Sequence, residues 1–368
     1  MMPASTRLAI ALAGLFPAFS LPLGAATIKP DYHLPSNAET VNGWWDAEAV
    51  PALKIKSGQI VEIDTVCMFG MSDDHPEQFF IDNGISLDLP VVKDMLAIKK
   101  ALVSNPNLKG RTPNLTGPIY IEDAMPGDTL EVRILDIKSR APYGVNQGRP
   151  GGGGIPDLVP RPYLKVIKLD LKRDVALFSD AIEIPLMRFQ GKLGVAPPKE
   201  RGKLSSGPPY PDIGSNMDNK YFGKGATVYF PVHVEGALFQ TGDPHANQGN
   251  GEVSGSAIES SNTVTMQFFV RKDLHVKNVR AENASHYIIM GMDTDLNKAM
   301  HEAIAQTVGF LEETKHLDFF DALALSSSDV DFEVSEVVDG TKVISGMVPK
   351  KIFKDGGGIP YWDKGETR

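Results

Sequence analysis

Residues Pro126–Ile134 read PGDTLEVRI. A glycine turn is followed by Leu130, Val132 and Ile134 at alternate positions, which share one face of an extended chain. Ser57–Asp64 (SGQIVEID) and Lys224–Val232 (KGATVYFPV) repeat the device. In the second of these, Val228, Phe230, Val232 and Val234 fall on one side. Thr263–Val270 (TVTMQFFV) adds a more continuously apolar strand. The chain also carries 35 Gly and 27 Pro, a turn content that suits many short strands. These patterns predict antiparallel sheets closed into a sandwich or barrel.

Helix is expected only late. In Asp293–Thr314, with Asp293 or Thr294 as cap, Leu296, Met300, Ile304 and Val308 recur at helical spacing. A shorter helix is expected at Phe319–Leu325, then a strand, an Asp339-Gly340 hairpin and a second strand. His301 and His316 lie in or beside these helices and read as structural or exposed. The expected fold is therefore mainly β, with a small C-terminal α+β section.

The N-terminus reads as an address. Arg7 is its one charge, an apolar run from Leu8 to about Leu23 follows, and Gly24 and Ala26 offer small residues for cleavage before Thr27. This pattern predicts a signal peptide over 1–26, one domain over 27–368, and a periplasmic or secreted product. No later segment is long and apolar enough for stable membrane insertion. The formal net charge of −9 disfavours nucleic acid and anionic lipid as partners. The single cysteine, Cys67, allows no intrachain disulfide. It sits in a strand-like run and reads as a buried apolar residue.

Chemistry-bearing residues concentrate between His233 and Glu259, in HVEGALFQTGDPHANQGNGEVSGSAIE. Asp243 and His245 are two apart, so on an extended chain they project together and suit one metal ion. Glu252 follows a glycine-rich turn, as a third ligand or as the general base for a bound water. Gln248 and Asn250 can orient an amide, and Ser256 and Glu259 lie on what reads as the next strand. The same residues also spell turns, in Gly-Asp-Pro and Asn-Gly. Two long Gly/Pro loops precede this run. Val195–Asp218 leads straight into it and reads as bordering a site. Gly148–Pro162 leaves open a surface turn or a loop of close backbone approach.

The run GALFQTGDPHANQGNGEVSGSAIE resembles the acetamidase/formamidase family. So, in order, do Leu115–Ile137, Phe189–Pro197 (FQGKLGVAP), Gly214–Asp218 (GSNMD), Asp321–Gly340 and Val348–Phe353. The resemblance implies a mainly β fold, a homo-oligomer, and hydrolysis of a short carboxamide to carboxylate and ammonia, with a divalent metal, zinc foremost. Related members act on cyclic amides, so a lactam is a second substrate class. Asp243 and His245 then become metal ligands, and Glu252 or Glu259 the catalytic base. Gln248, Asn250, Gly251 and Gly242 become substrate-binding positions, the glycines at 242, 249, 251 and 255 offering free N–H groups to an oxyanion. The chain departs from the family pattern at Asn250, commonly Asp, and at Asn114, in a region where relatives often carry His. Asp64 keeps an acid in the early block. The alternative reading is an exported β-sandwich that binds a small ligand without chemistry.

Overall fold

The computed structural model describes residues 28–104 and 115–354. Residues 1–26, read from sequence as a signal peptide, and Asn114 lie outside the described residues. Two large sheets face each other. One is nine-stranded, in the order Tyr32–Leu34, Ile60–Asp64, Asn262–Arg271, Thr129–Ser139, Thr227–Pro231, Arg280–Glu282, His286–Asp293, Lys342–Pro349 and Asp331–Glu336. The four strands read from the sequence thus lie side by side, all antiparallel. Leu130, Val132, Ile134, Val228 and Phe230 are buried on the inner face. Glu131, which alternates with these apolar residues, is buried too: Arg133 and Arg271 cover its carboxylate at 2.6 and 2.7 Å.

The second sheet is twelve-stranded and is centred on Phe239–Asn247, which pairs with Phe189–Gly194, Leu115–Ile121 and Ile258–Glu259. One apolar core joins the two sheets, drawing Val61, Ile63, Val264 and Phe268 from the first and Leu115, Leu193 and Phe239 from the second. Phe239 meets Phe230 and Phe268 edge-on, at centroid distances of 5.8 and 5.2 Å. That is a favourable aromatic geometry. The mainly β sandwich is as expected.

Helix is not confined to the C-terminal section. Helix α1 (Pro76–Asp82) and helix α2 (Pro90–Ser104) follow Cys67, whose run stops being strand at Asp64. Phe79, Phe80, Val91, Val92, Met95 and Ile98 pack against Tyr143 and Val145 of the second sheet. The first turn of α1 opens on Pro76, and α2 repeats apolar residues at helical spacing, so both had a local signal.

Helix α3 (Leu296–Lys315) is capped by Asp295, whose carboxylate accepts from Lys298 N–H at 3.0 Å, not by Asp293 or Thr294. Val308 is buried as the spacing suggests, together with Ala299, Ala303, Thr307 and Leu311, while Leu296 is exposed. The reason is a close approach to the sheet. A Cβ on Gly291 would lie 2.1 Å from Ala303 N and 2.3 Å from Ala299 O. Only small residues fit that seam, so the larger Met300 and Ile304 move to its margins. Helix α4 (Phe319–Asp329) is capped by Asp318. His301 and His316 are both exposed.

Candidate active site

Strand Phe239–Asn247 begins in the apolar core and ends in a buried polar cluster. His245 is fully buried, opposite Glu259 on Ile258–Glu259. Its Nε2 lies 3.2 Å from Glu259 Oε2, 3.8 Å from Asp243 Oδ1 and 3.9 Å from Asp218 Oδ1. Neither imidazole nitrogen has a hydrogen bond of proper geometry. Asp218, at the end of the long Val195–Asp218 loop, is 1% exposed and leaves Oδ1 without a partner. Glu252 and Asp339 complete the cluster. Ligand atoms of Asp218, Asp243 and His245 lie within 4.8 Å of one another, as do those of His245, Glu252 and Glu259, and those of Asp218, Glu252 and Asp339.

The backbone bends to converge these groups. Asp218, Asp243 and Glu252 all have positive φ, at 40°, 54° and 45°. Left-handed backbone is uncommon outside glycine and is found where function over-determines geometry. Gly191, on the neighbouring strand, makes room: a Cβ there would lie 2.2 Å from Asp218 Oδ1 and 3.1 Å from His245 Cε1.

Among the described residues, Lys192 is a buried cation paired with the cluster. Lys192 Nζ is 3.0 Å from Asp243 Oδ2, and both are largely buried. Burial works against the Lys192 ammonium, but Asp243 and Asp218 hold its pKa above the usual lysine value. Burial likewise opposes ionisation of Asp243, yet Lys192 keeps its carboxyl below the usual range. Asp218, Glu252 and Asp339 go the opposite way. Burial, then Glu252, pushes Asp218 well up, and burial also pushes up Glu252 and Asp339. Burial opposes a charge on His245, but Glu259 and Asp243 hold its imidazole well above its ordinary pKa. The cluster therefore gathers more acids than positive groups to offset them. A divalent cation bound there would supply positive charge, and the unpartnered His245 nitrogens and Asp218 Oδ1, beside the space that a Cβ on Gly191 would fill, are donors of the kind such an ion takes.

Several residues named from sequence converge here, and others do not. Asp243, His245, Glu252 and Glu259 come together as read. Glu259 is tethered through Oε1, which accepts from Ala257 N–H at 2.9 Å and Ser256 Oγ at 3.2 Å. Gln248 borders the cluster, but its amide donates to the Asp218 carbonyl at 2.8 Å and its Oε1 is unpartnered. Asn250 is exposed and donates to Glu333 Oε2 at 2.5 Å. Gly242 is buried in the ladder opposite Lys192 and Leu115. Two of the glycine N–H groups proposed for an oxyanion are already engaged: Gly251 donates to Ser335 O at 2.9 Å and Gly255 to Glu252 O at 2.8 Å. Asp64 stands apart from the cluster, paired with His33 at 3.0 Å and Arg140 at 3.3 Å.

Asp218, Asp339 and Lys192 were missed as site residues. Each sat in a segment noted for another reason: a loop end for Asp218, a hairpin turn for Asp339 and a block of family resemblance for Lys192. The Gly148–Pro162 loop resolves as close approach, since Gly154 N–H donates to Val253 O at 2.8 Å beside Glu252. Cys67 is buried, and burial followed by the Glu259 charge pushes its thiol well up, which disfavours a thiolate.

A mainly β sandwich with a buried acid–histidine cluster at the end of a central strand is the class that the fold and site define. The sequence matches the acetamidase/formamidase family over residues 99–205 and 204–355, and the chain belongs to that family. A putative formamidase of Schizosaccharomyces pombe is 28% identical over 216 residues, 43% of this chain and 52% of the relative. The chain thus spans about half the length of the curated relatives it matches. An acetamidase from Bacillus halodurans has the same fold at TM-score 0.72 and 28% identity, covering 88% of this chain and 99% of that one. A predicted acetamidase/formamidase from Thermoanaerobacter tengcongensis gives TM-score 0.72 and 29% identity, over 89% and 98%.

Proposed function

We propose that this chain hydrolyses a short or cyclic carboxamide to carboxylate and ammonia or amine, with a divalent metal, zinc foremost, as cofactor. The observation that carries the reading is the fully buried His245 with two unpartnered nitrogens, ringed by the carboxyls of Asp218, Asp243, Glu252 and Glu259. His245, Asp243 and Asp218 would hold the metal. A divalent ion there lowers the pKa of water and polarises a carbonyl.

The chain's own groups do the rest. Glu252, freed of its proton, takes one from the attacking water and passes it to the departing amine. Glu259, tethered through Oε1, keeps the imidazole oriented through Oε2. Lys192 is the fixed positive charge nearest the acids and offsets negative charge that develops on the substrate oxygen. With the Gly251 and Gly255 N–H groups engaged, that duty falls to a side chain rather than to the loop backbone. Residues 1–26 would direct export, and the mature chain would begin near Thr27 and assemble as a homo-oligomer. No helix among the described residues is long and apolar enough to cross a membrane.

The test is ammonia release by the purified protein across a panel of linear amides and lactams, before and after chelation. Turnover of at least one amide, lost with the chelator and restored by zinc, is expected. No turnover by metal-replete protein on any amide would favour a ligand-binding protein without chemistry. N-terminal sequencing of the exported protein tests cleavage before Thr27, and light scattering tests assembly.

A further inference from the structure

Glu252 stands on a loop whose composition, Gln248-Gly249-Asn250-Gly251, gives it little stiffness of its own. It is held from outside. Asp331–Glu336 is the edge strand of the nine-stranded sheet, and the loop lies along that edge. Gly251 N–H donates to Ser335 O at 2.9 Å, Val337 N–H donates to Gly251 O at 3.2 Å, and Gly251 bridges Glu336 in parallel. The edge of one sheet thus fixes an acid that acts beside a strand of the other.

One carboxylate on that edge ties two site segments together. Glu333 Oε2 accepts from Asn250 Nδ2 at 2.5 Å and from Tyr221 OH at 2.5 Å. Asn250 is two residues before Glu252, and Tyr221 is three residues after Asp218. Asp218 and Glu252 belong to one of the close groups of the cluster. Both hydrogen bonds are charge-assisted, roughly twice as strong as neutral ones. We propose that Glu333, through Asn250 and Tyr221, is a positioning residue that sets the separation of Asp218 and Glu252. Asn250 is then a donor to Glu333 rather than a substrate contact. An aspartate in its place would put two carboxylates in contact and push the loop off the edge.

This inference rests on the reading of Glu252 as the base, and the experiment separates the two. The N250D variant should lose about ten- to hundred-fold in kcat, the scale for displacing a catalytic group by about an ångström, with KM within about two-fold. The Gly251 amide should exchange faster with solvent. Adding E333Q to N250D reverses donor and acceptor and should restore both. Y221F removes one bond without adding charge, and should lower kcat several-fold even if N250D folds poorly. Unchanged kcat and exchange in Y221F, or failure of E333Q to rescue a folded N250D protein, would overturn the proposal. Retained turnover in Glu252→Gln would instead sink the base assignment, and Gly251 exchange would still report on the positioning contact.

Discussion

The two ends of strand Phe239–Asn247 are equally buried and physically opposite. At one end Phe239 is 0% exposed and packed edge-on between two other phenylalanines. At the other His245 is 0% exposed, and its two nitrogens and the neighbouring Asp218 Oδ1 lack hydrogen-bond partners. The first end gains stability from burial. The second loses it, since an unpartnered buried polar group costs about 1–3 kcal/mol. The change comes at Asp243, where the backbone turns left-handed. One end holds the fold together, and the other is held by it.

This contrast is sharpened by removing a side chain from each end. Phe268→Ala, which strips the ring that Phe239 packs on, should cost about 3–5 kcal/mol of stability. Turnover per folded molecule should hold. Glu252→Gln should lower turnover on the order of a hundred- to ten-thousand-fold. Its melting temperature should stay or rise, because a buried acid is replaced by a neutral amide. Thermal melts and ammonia release on both proteins check this. A Glu252→Gln protein that melts early yet turns over normally would erase the distinction between the two ends.

A matched pair of single-methyl additions tests the same contrast more gently. Gly291→Ala drives a Cβ into the backbone of α3, where nothing can swing away, so about 1–3 kcal/mol of stability should go with little change in turnover. Gly191→Ala drives its Cβ against the Asp218 carboxyl and the His245 ring. Side chains there can yield, so stability should fall by no more than about 1 kcal/mol. Turnover should drop about ten-fold or more as the acids shift. Equal effects of the two substitutions on turnover would count against the cluster as the reacting site.

The strands were legible because alternation is local and each has one apolar face. Pro126–Ile134 needs no knowledge of its neighbours to be read. Half of the site was legible on similar grounds, as Asp243, His245, Glu252 and Glu259 lie within one run. Asp218 and Asp339 were not, because they reach the cluster from segments 25 and 96 residues away from Asp243, and only the folded chain brings them together. Lys192 was hidden for the same reason. Alternation in Phe189–Gly194 says nothing about which charge lies on the adjacent strand. Of the apolar residues of α3 read at helical spacing, Val308 is buried, Met300 and Ile304 are partly buried and Leu296 is exposed, because Gly291, on another element, decides how near the helix comes. The role of Asn250 was also beyond local reading, since its partner Glu333 belongs to the opposite sheet.

The account stands most directly on the metal. Zinc titrated into chelated protein, with bound metal counted per chain, should reach saturation in the parent and fall away in His245→Ala. The melting curve of that variant should show an intact β fold, since His245 contributes no apolar packing to the inter-sheet core. Ammonia release should follow bound zinc in the parent. Full zinc retention in a folded His245→Ala protein, or amide turnover that ignores removal of the metal, would contradict it.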